Sequence, residues 1–92
     1  MTENPEPTST NPFRDAILEQ IELRYQADGR TISPEDAARA ISEQRWNKLL
    51  KDVKAEAIRL AKEGKISIYR KGKPVDPDDF KGVYRLGRPA EE

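Results

Sequence analysis

Apolar residues recur every three or four positions through residues 45–65, a spacing typical of an amphipathic helix. The apolar face holds Trp46, Leu49, Leu50, Val53, Ala57, Leu60 and Ala61. The opposite face gathers Lys48, Lys51, Ala55, Arg59 and Lys62, with Lys54 beside it and Asp52, Glu56 and Glu63 along one edge. The pattern therefore predicts a long helix that closes a core with one face, offers cations on the other, and ends at Gly64.

The same spacing predicts two shorter helices earlier in the chain. Residues 12–27 form the first, with Asn11 as its N-cap and Pro12 in its first turn. A capping-box signal, with Ser33 three positions before Asp36, begins the second helix, which we expect to reach about Ser42. Residues 30–32 favour a short β segment between the two. We expect Trp46 to be mostly buried and to anchor the new direction of the chain.

Period-two alternation predicts two strands after the long helix, at residues 66–70 and 82–86, with Tyr84 and Leu86 facing inward. Residues 71–74 are a turn signal, and residues 76–80 are predicted to form one helical turn. The resulting order of elements is that of an α+β winged helix-turn-helix domain. It has three helices and a small antiparallel β-sheet wing, and residues 30–32 form its third strand.

The composition allows one small domain. Of the 92 residues, 35% are hydrophobic and 37% are charged, so we expect a modest core and a stability of about 3–5 kcal/mol. Residues 1–11 are predicted to be a disordered tail, residues 12–87 the winged-helix domain, and residues 88–92 a frayed C-terminal tail.

The residue types present exclude much enzyme chemistry. Cysteine and histidine are both absent, which removes thiolate and imidazole nucleophiles, bases and the usual zinc ligands. The closest carboxylates, Asp76, Asp78 and Asp79, lack the spacing of a calcium loop. We therefore expect no enzyme activity, no cofactor and no metal site. No apolar run is long enough for a membrane span and no signal peptide is recognisable, so we expect a cytoplasmic protein.

Charge is distributed unevenly, although the formal net charge is zero. Residues 1–44 carry 4 basic and 9 acidic side chains, residues 45–73 carry 10 and 3, and residues 74–92 carry 3 and 5. A clustered basic segment is the electrostatic footprint of a nucleic-acid binder. The balanced total argues against tight non-specific binding.

Several short segments together resemble a small bacterial family of uncharacterised domains with a winged-helix-like fold. They are residues 31–34 (TISP), 37–40 (AARA), Trp46 with Leu49, 64–66 (GKI), 71–77 (KGKPVDP) and 85–86 (RL). The resemblance spans residues 13–86, and its most specific part ends at Pro77. It implies a fold and supplies no established activity.

Two functions from different classes remain open. In the first, the third helix enters the major groove of duplex DNA and the wing contacts the backbone or minor groove. The candidate DNA-binding residues are Arg45, Asn47, Lys48, Lys51, Lys54, Arg70, Lys71 and Lys73. In the second, the domain is a protein-interaction module or accessory subunit whose cationic face docks an acidic protein partner. The oligomeric state stays open in both.

Overall fold

Three helices and a three-stranded antiparallel sheet make up the computed structural model, which describes residues 11–89. The helices are α1 (Pro12–Asp28), α2 (Pro34–Ile41) and α3 (Trp46–Lys62). The strands are β1 (Ser67–Arg70), β2 (Lys73–Val75) and β3 (Arg85–Gly87). This α+β arrangement is consistent with the winged-helix topology expected from the sequence. Residues 1–10 and 90–92, where tails are predicted, lie outside the described residues.

Side-chain caps fix where the first two helices begin. The Asn11 side chain accepts the backbone N–H groups of Phe13 and Arg14, both at 3.1 Å, at the start of α1. Ser33 and Asp36 exchange the two hydrogen bonds of a capping box at the start of α2. Both caps are confirmed as predicted. In residues 11–89, no helix is both long enough and apolar enough to span a bilayer.

The core lies between the three helices and one face of the sheet. The largest fully buried side chains are Ile17, Ile32, Val53, Leu60, Ile68 and Leu86. Ile68 of β1 pairs with Leu86 of β3, and Leu86 forms a further antiparallel bridge with Ile32. Residues 30–32 were expected to form a short third strand; they instead contribute an isolated bridge at Ile32, and the third strand of the sheet is β2. The alternate residues Tyr69 and Arg85 face away from the core.

One acidic residue of α3 differs from expectation. The sequence pattern places Glu56 on an exposed helix edge, whereas its side chain is only 5% exposed. Its carboxylate accepts hydrogen bonds from Arg59 at 2.8 Å and from Arg14 of α1 at 3.4 Å. Because Arg14 also binds Glu63 at 2.6 Å, α1 covers this edge of α3. The helix period alone could not reveal that α1 packs there.

This ion-pair cluster predicts a pH dependence of stability. The hydrogen bond from Arg14 holds the pKa of the Glu63 carboxyl below its ordinary value of 4.5. A lowered folded-state pKa contributes stability above pH 4.5, which is lost as the pH falls through the folded-state value. We expect Glu63→Gln to lose less stability on acidification than the wild type. Thermal unfolding from neutral to acidic pH, with Glu19→Gln as control, measures this. Parallel curves for wild type and Glu63→Gln would contradict it.

The sheet corrects the predicted wing. Residues 71–74 are not all turn, because Lys73 and Pro74 already belong to β2. A two-residue turn at Lys71 and Gly72 lets β2 pair at once with β1, and the edge position of β2 tolerates a proline. The sheet order is β2-β1-β3, so the chain leaves the hairpin and returns on the other side of β1.

The segment between β2 and β3 also differs from its predicted structure. The expected helical turn at residues 76–80 is instead a short hydrogen-bonded turn. The Asp79 backbone N–H donates to the Asp76 carbonyl at 3.0 Å, and the Asp78 N–H donates to the Asp76 carboxylate at 2.9 Å. An aspartate that binds the backbone two residues later closes such a turn without starting a helix.

Candidate nucleic-acid interface

Four polar side chains at the start of α3 form one exposed surface, which we call the α3 front. It consists of Arg45, Asn47, Lys48 and Lys51. Within residues 11–89, none of these side chains pairs with a carboxylate. The α3 front therefore presents three uncompensated cations and one amide to solvent.

The turn that precedes α3 positions this surface. α2 ends at Ile41, and Ser42 is extended with φ −157°. The Ser42 hydroxyl accepts the backbone N–H of Arg45 at 3.2 Å, and the Arg45 carbonyl accepts the N–H of Lys48 at 2.9 Å. Trp46, partly buried, packs beneath the Arg39 guanidinium, whose carbon lies 4.5 Å from the ring centroid. The tryptophan thus anchors the helix start while its polar neighbours face outward.

The remaining cations of α3 have partners within the protein. Lys54 lies over the Phe80 ring, with its Nζ 5.2 Å from the centroid. Lys62 pairs with Asp78 at 2.7 Å, and Arg59 pairs with Glu56. The β2–β3 segment thus contacts α3 through Lys54 and Lys62, whereas Arg59 pairs within the helix. Among residues 11–89, the α3 cations without such a partner are confined to the first turns of the helix.

The β1–β2 hairpin, with its turn at Lys71 and Gly72, supplies the second group of predicted site residues. Lys71 and Lys73 are exposed. Lys71 has φ +54° and Gly72 has φ +82°, the two positive values of a type I′ turn. Arg70 differs from these lysines because its Nε donates to the Val83 carbonyl at 2.9 Å. Arg70 therefore ties the β2–β3 segment to β1.

The sequence analysis did not identify a cluster of three further arginines. Arg30, Arg85 and Arg88 lie with Lys71 around a cleft on the outer face of the sheet. They are separated by up to 58 positions and share no local pattern. Their shared location follows from the bridge between Ile32 and Leu86, which brings residue 30 beside β3. In hindsight, only the segment pairing could have indicated this cluster.

The acidic residues in the described part of the chain do not form a metal-binding cluster. Within residues 11–89, no group of three acidic side chains is arranged to hold a metal ion. The Asp76 and Asp78 carboxylates instead serve the β2–β3 turn and the pair with Lys62.

Comparison with known proteins identifies a family for this chain. A family model described as "Protein of unknown function (DUF3253)" matches residues 10–89. All the helices and strands lie within the match. No curated protein matches the chain. The family match supplies no activity, so function has to be argued from the surface chemistry.

Proposed function

The chain belongs to this family of unknown function, and we propose that it binds duplex DNA through the α3 front and the β1–β2 turn. The observation that carries the proposal is the α3 front itself. Its three cations have no carboxylate partner in residues 11–89, while those further along α3 are engaged. In a winged-helix topology, the third helix is the element that enters the major groove.

Each residue of the interface has a chemical role in this proposal. Arg45 and Asn47 carry the side chains that make paired contacts with guanine and adenine edges. Lys48 and Lys51 neutralise phosphates beside the groove. Lys71 and Lys73 hold the backbone from the hairpin. Two of the predicted contacts, Lys54 and Arg70, take supporting roles, because the former covers Phe80 and the latter holds Val83.

A titration with random duplexes tests the proposal. The footprint is small and the flanking segments are acidic, so we expect a Kd of about 10⁻⁴–10⁻⁶ M at physiological salt. The logarithm of the association constant should fall linearly with the logarithm of the salt concentration. Gel-shift or fluorescence-anisotropy series at several salt concentrations measure both quantities. Absence of binding at millimolar duplex in low salt would overturn the proposal.

The variant Lys71→Asn should change duplex affinity and folding stability in opposite directions. A lysine in the left-handed region costs about 1–2 kcal/mol, whereas asparagine followed by glycine suits a type I′ turn. We therefore expect Lys71→Asn to raise the melting temperature and to weaken duplex binding for all sequences. The salt slope should fall by about 1, the effect of losing one phosphate contact. Thermal unfolding and anisotropy measure the two effects. A stabilised variant with unchanged affinity would remove Lys71 from the interface.

A second candidate function is a protein-interaction module, favoured by an apolar groove. The groove lies between the start of α2, the start of α3 and the segment before β3, and Pro34, Trp46, Leu50 and Tyr84 contribute to its lining. Val83, also in the lining, is 85% exposed. A partner with both acidic and apolar side chains would suit this groove and the neighbouring α3 front. Under the DNA proposal, Val83→Asp should leave duplex affinity close to that of the wild type.

A further inference from the structure

A cleft on the outer face of the sheet is lined by cations, and no acidic side chain of residues 11–89 lines it. Its volume is about 510 Å³, within the range of about 300–1,000 Å³ usual for small-molecule sites. The loop after α1, the ends of β1 and β3 and the β1–β2 turn surround it. The charged lining residues are Arg30, Lys71, Arg85 and Arg88. Four positive charges therefore converge on one concave surface.

The electrostatic balance of this cleft favours an anion. Arg85 is held by neutral acceptors, the Thr31 hydroxyl at 2.8 Å and the Thr31 carbonyl at 2.7 Å, so its charge is oriented but not neutralised. Arg30 and Lys71 form no ion pair with a carboxylate in residues 11–89. Among the four, Arg88 alone has an acidic partner within residues 11–89, Glu22 at 3.2 Å. Three of the four cations therefore remain available to a ligand.

Two tyrosine rings line the cleft beside these cations. Tyr25 stacks with the Arg88 guanidinium at 4.2 Å and is 47% exposed. Tyr69 lies on the outer face of β1 and donates its hydroxyl hydrogen bond to the Arg88 carbonyl at 2.8 Å. A Cβ on Gly87 would lie 2.7 Å from Thr31 Cγ2 and 3.1 Å from Tyr69 Cε1. The glycine therefore allows Thr31 and Tyr69 to pack closely in the cleft wall.

We propose that this cleft binds a nucleoside phosphate. The arginines and Lys71 would hold the phosphate oxygens, since guanidinium groups match phosphate geometry and stay charged. The exposed surface of Tyr25 would stack on the base, a contact available to every nucleobase. The proposal concerns the outer face of the sheet and does not depend on duplex binding by the α3 front. Lys71 alone belongs to both sites.

Calorimetric and NMR titrations of the full chain with ATP, AMP, inorganic pyrophosphate and adenosine test this site. ATP should bind more tightly than AMP, and shifts should centre on the backbone amides of Gly29, Arg30, Thr31 and Arg88. Arg30→Ala should weaken ATP binding about tenfold, the loss expected of one charge-assisted hydrogen bond. Lys81→Ala removes an exposed cation outside the cleft and is the matched control. Arg30 is exposed, so its variant should retain the melting temperature of the wild type.

The outcomes distinguish this site from the duplex interface. We expect Arg30→Ala to reduce ATP affinity and spare duplex affinity, and Lys51→Ala to do the reverse. Failure of duplex binding with intact ATP binding would reject the proposed function alone. Pyrophosphate binding as tight as that of ATP would refute recognition of the nucleoside. Equal loss of ATP affinity in Arg30→Ala and Lys81→Ala, or no binding of ATP at millimolar concentration, would refute the site.

Discussion

Leu60→Ala should leave most of the protein unfolded at room temperature. The Leu60 side chain is 0% exposed and packs in the cluster that joins α3 to both other helices and the sheet. Truncating a buried leucine costs about 2–5 kcal/mol, because transfer free energy is lost and a cavity remains. A domain of this size has about 3–5 kcal/mol in total. Chemical denaturation followed by circular dichroism measures the loss.

A matched control for Leu60→Ala exists on α1. Leu23 is 56% exposed, so Leu23→Ala should change the unfolding free energy by less than about 0.5 kcal/mol. An unfolding midpoint for Leu60→Ala close to that of the wild type would contradict the described core. The same contradiction would follow if both alanine variants lost equal stability.

Combining Lys48→Glu with Lys51→Glu should reduce duplex affinity by at least about a hundredfold. Each lysine supplies a charge-assisted contact of about 1.5–3 kcal/mol in the proposed complex, and each glutamate adds repulsion from phosphate. Both side chains are exposed and form no ion pair in residues 11–89, so folding should survive the change. Fluorescence anisotropy at low salt, after a check of the melting temperature, measures the effect.

The control for this double variant has the same change in net charge. Lys65 and Lys81 are exposed and lie outside the α3 front and the β1–β2 turn. Replacing both by glutamate should weaken binding far less than the change on α3. Equal losses in the two double variants would show that only overall charge matters, contrary to a defined interface.

Local signals explain why the helices could be predicted from the sequence. Asn11 and Ser33 cap the helices that follow them through hydrogen bonds spanning two or three residues. Gly64 has φ +79° just after Glu63, the C-cap of α3, as its position predicted. These features depend on neighbours close in sequence, so no knowledge of packing was needed. Lys48 and Lys51 of the α3 front follow from the same helix period, since they lie opposite the apolar stripe.

The features that escaped prediction depend on contacts between distant segments. Glu56 is buried because α1 brings Arg14 against it, 42 positions away. Arg30 joins the cleft of Arg85 and Arg88 only because the segment before α2 pairs with β3. Residue type and spacing contain neither piece of information.

The prediction for Trp46 was correct in part. The apolar stripe predicted a mostly buried ring, and the structure places it partly buried against the core, with Arg39 over one face. Its anchoring role agrees with the prediction, and its degree of burial is lower. The stack with Arg39 depends on the angle between α2 and α3, which the intervening residues do not reveal.

Chemical-shift mapping of the full chain with duplex DNA at low salt tests the DNA proposal most directly. The proposal predicts that the largest shifts cluster at the α3 front and at Lys71 and Gly72 of the β1–β2 turn. It also predicts that added salt reverses these shifts. Shifts confined to α1, or none at millimolar duplex, would contradict the proposed interface and favour a protein-interaction module.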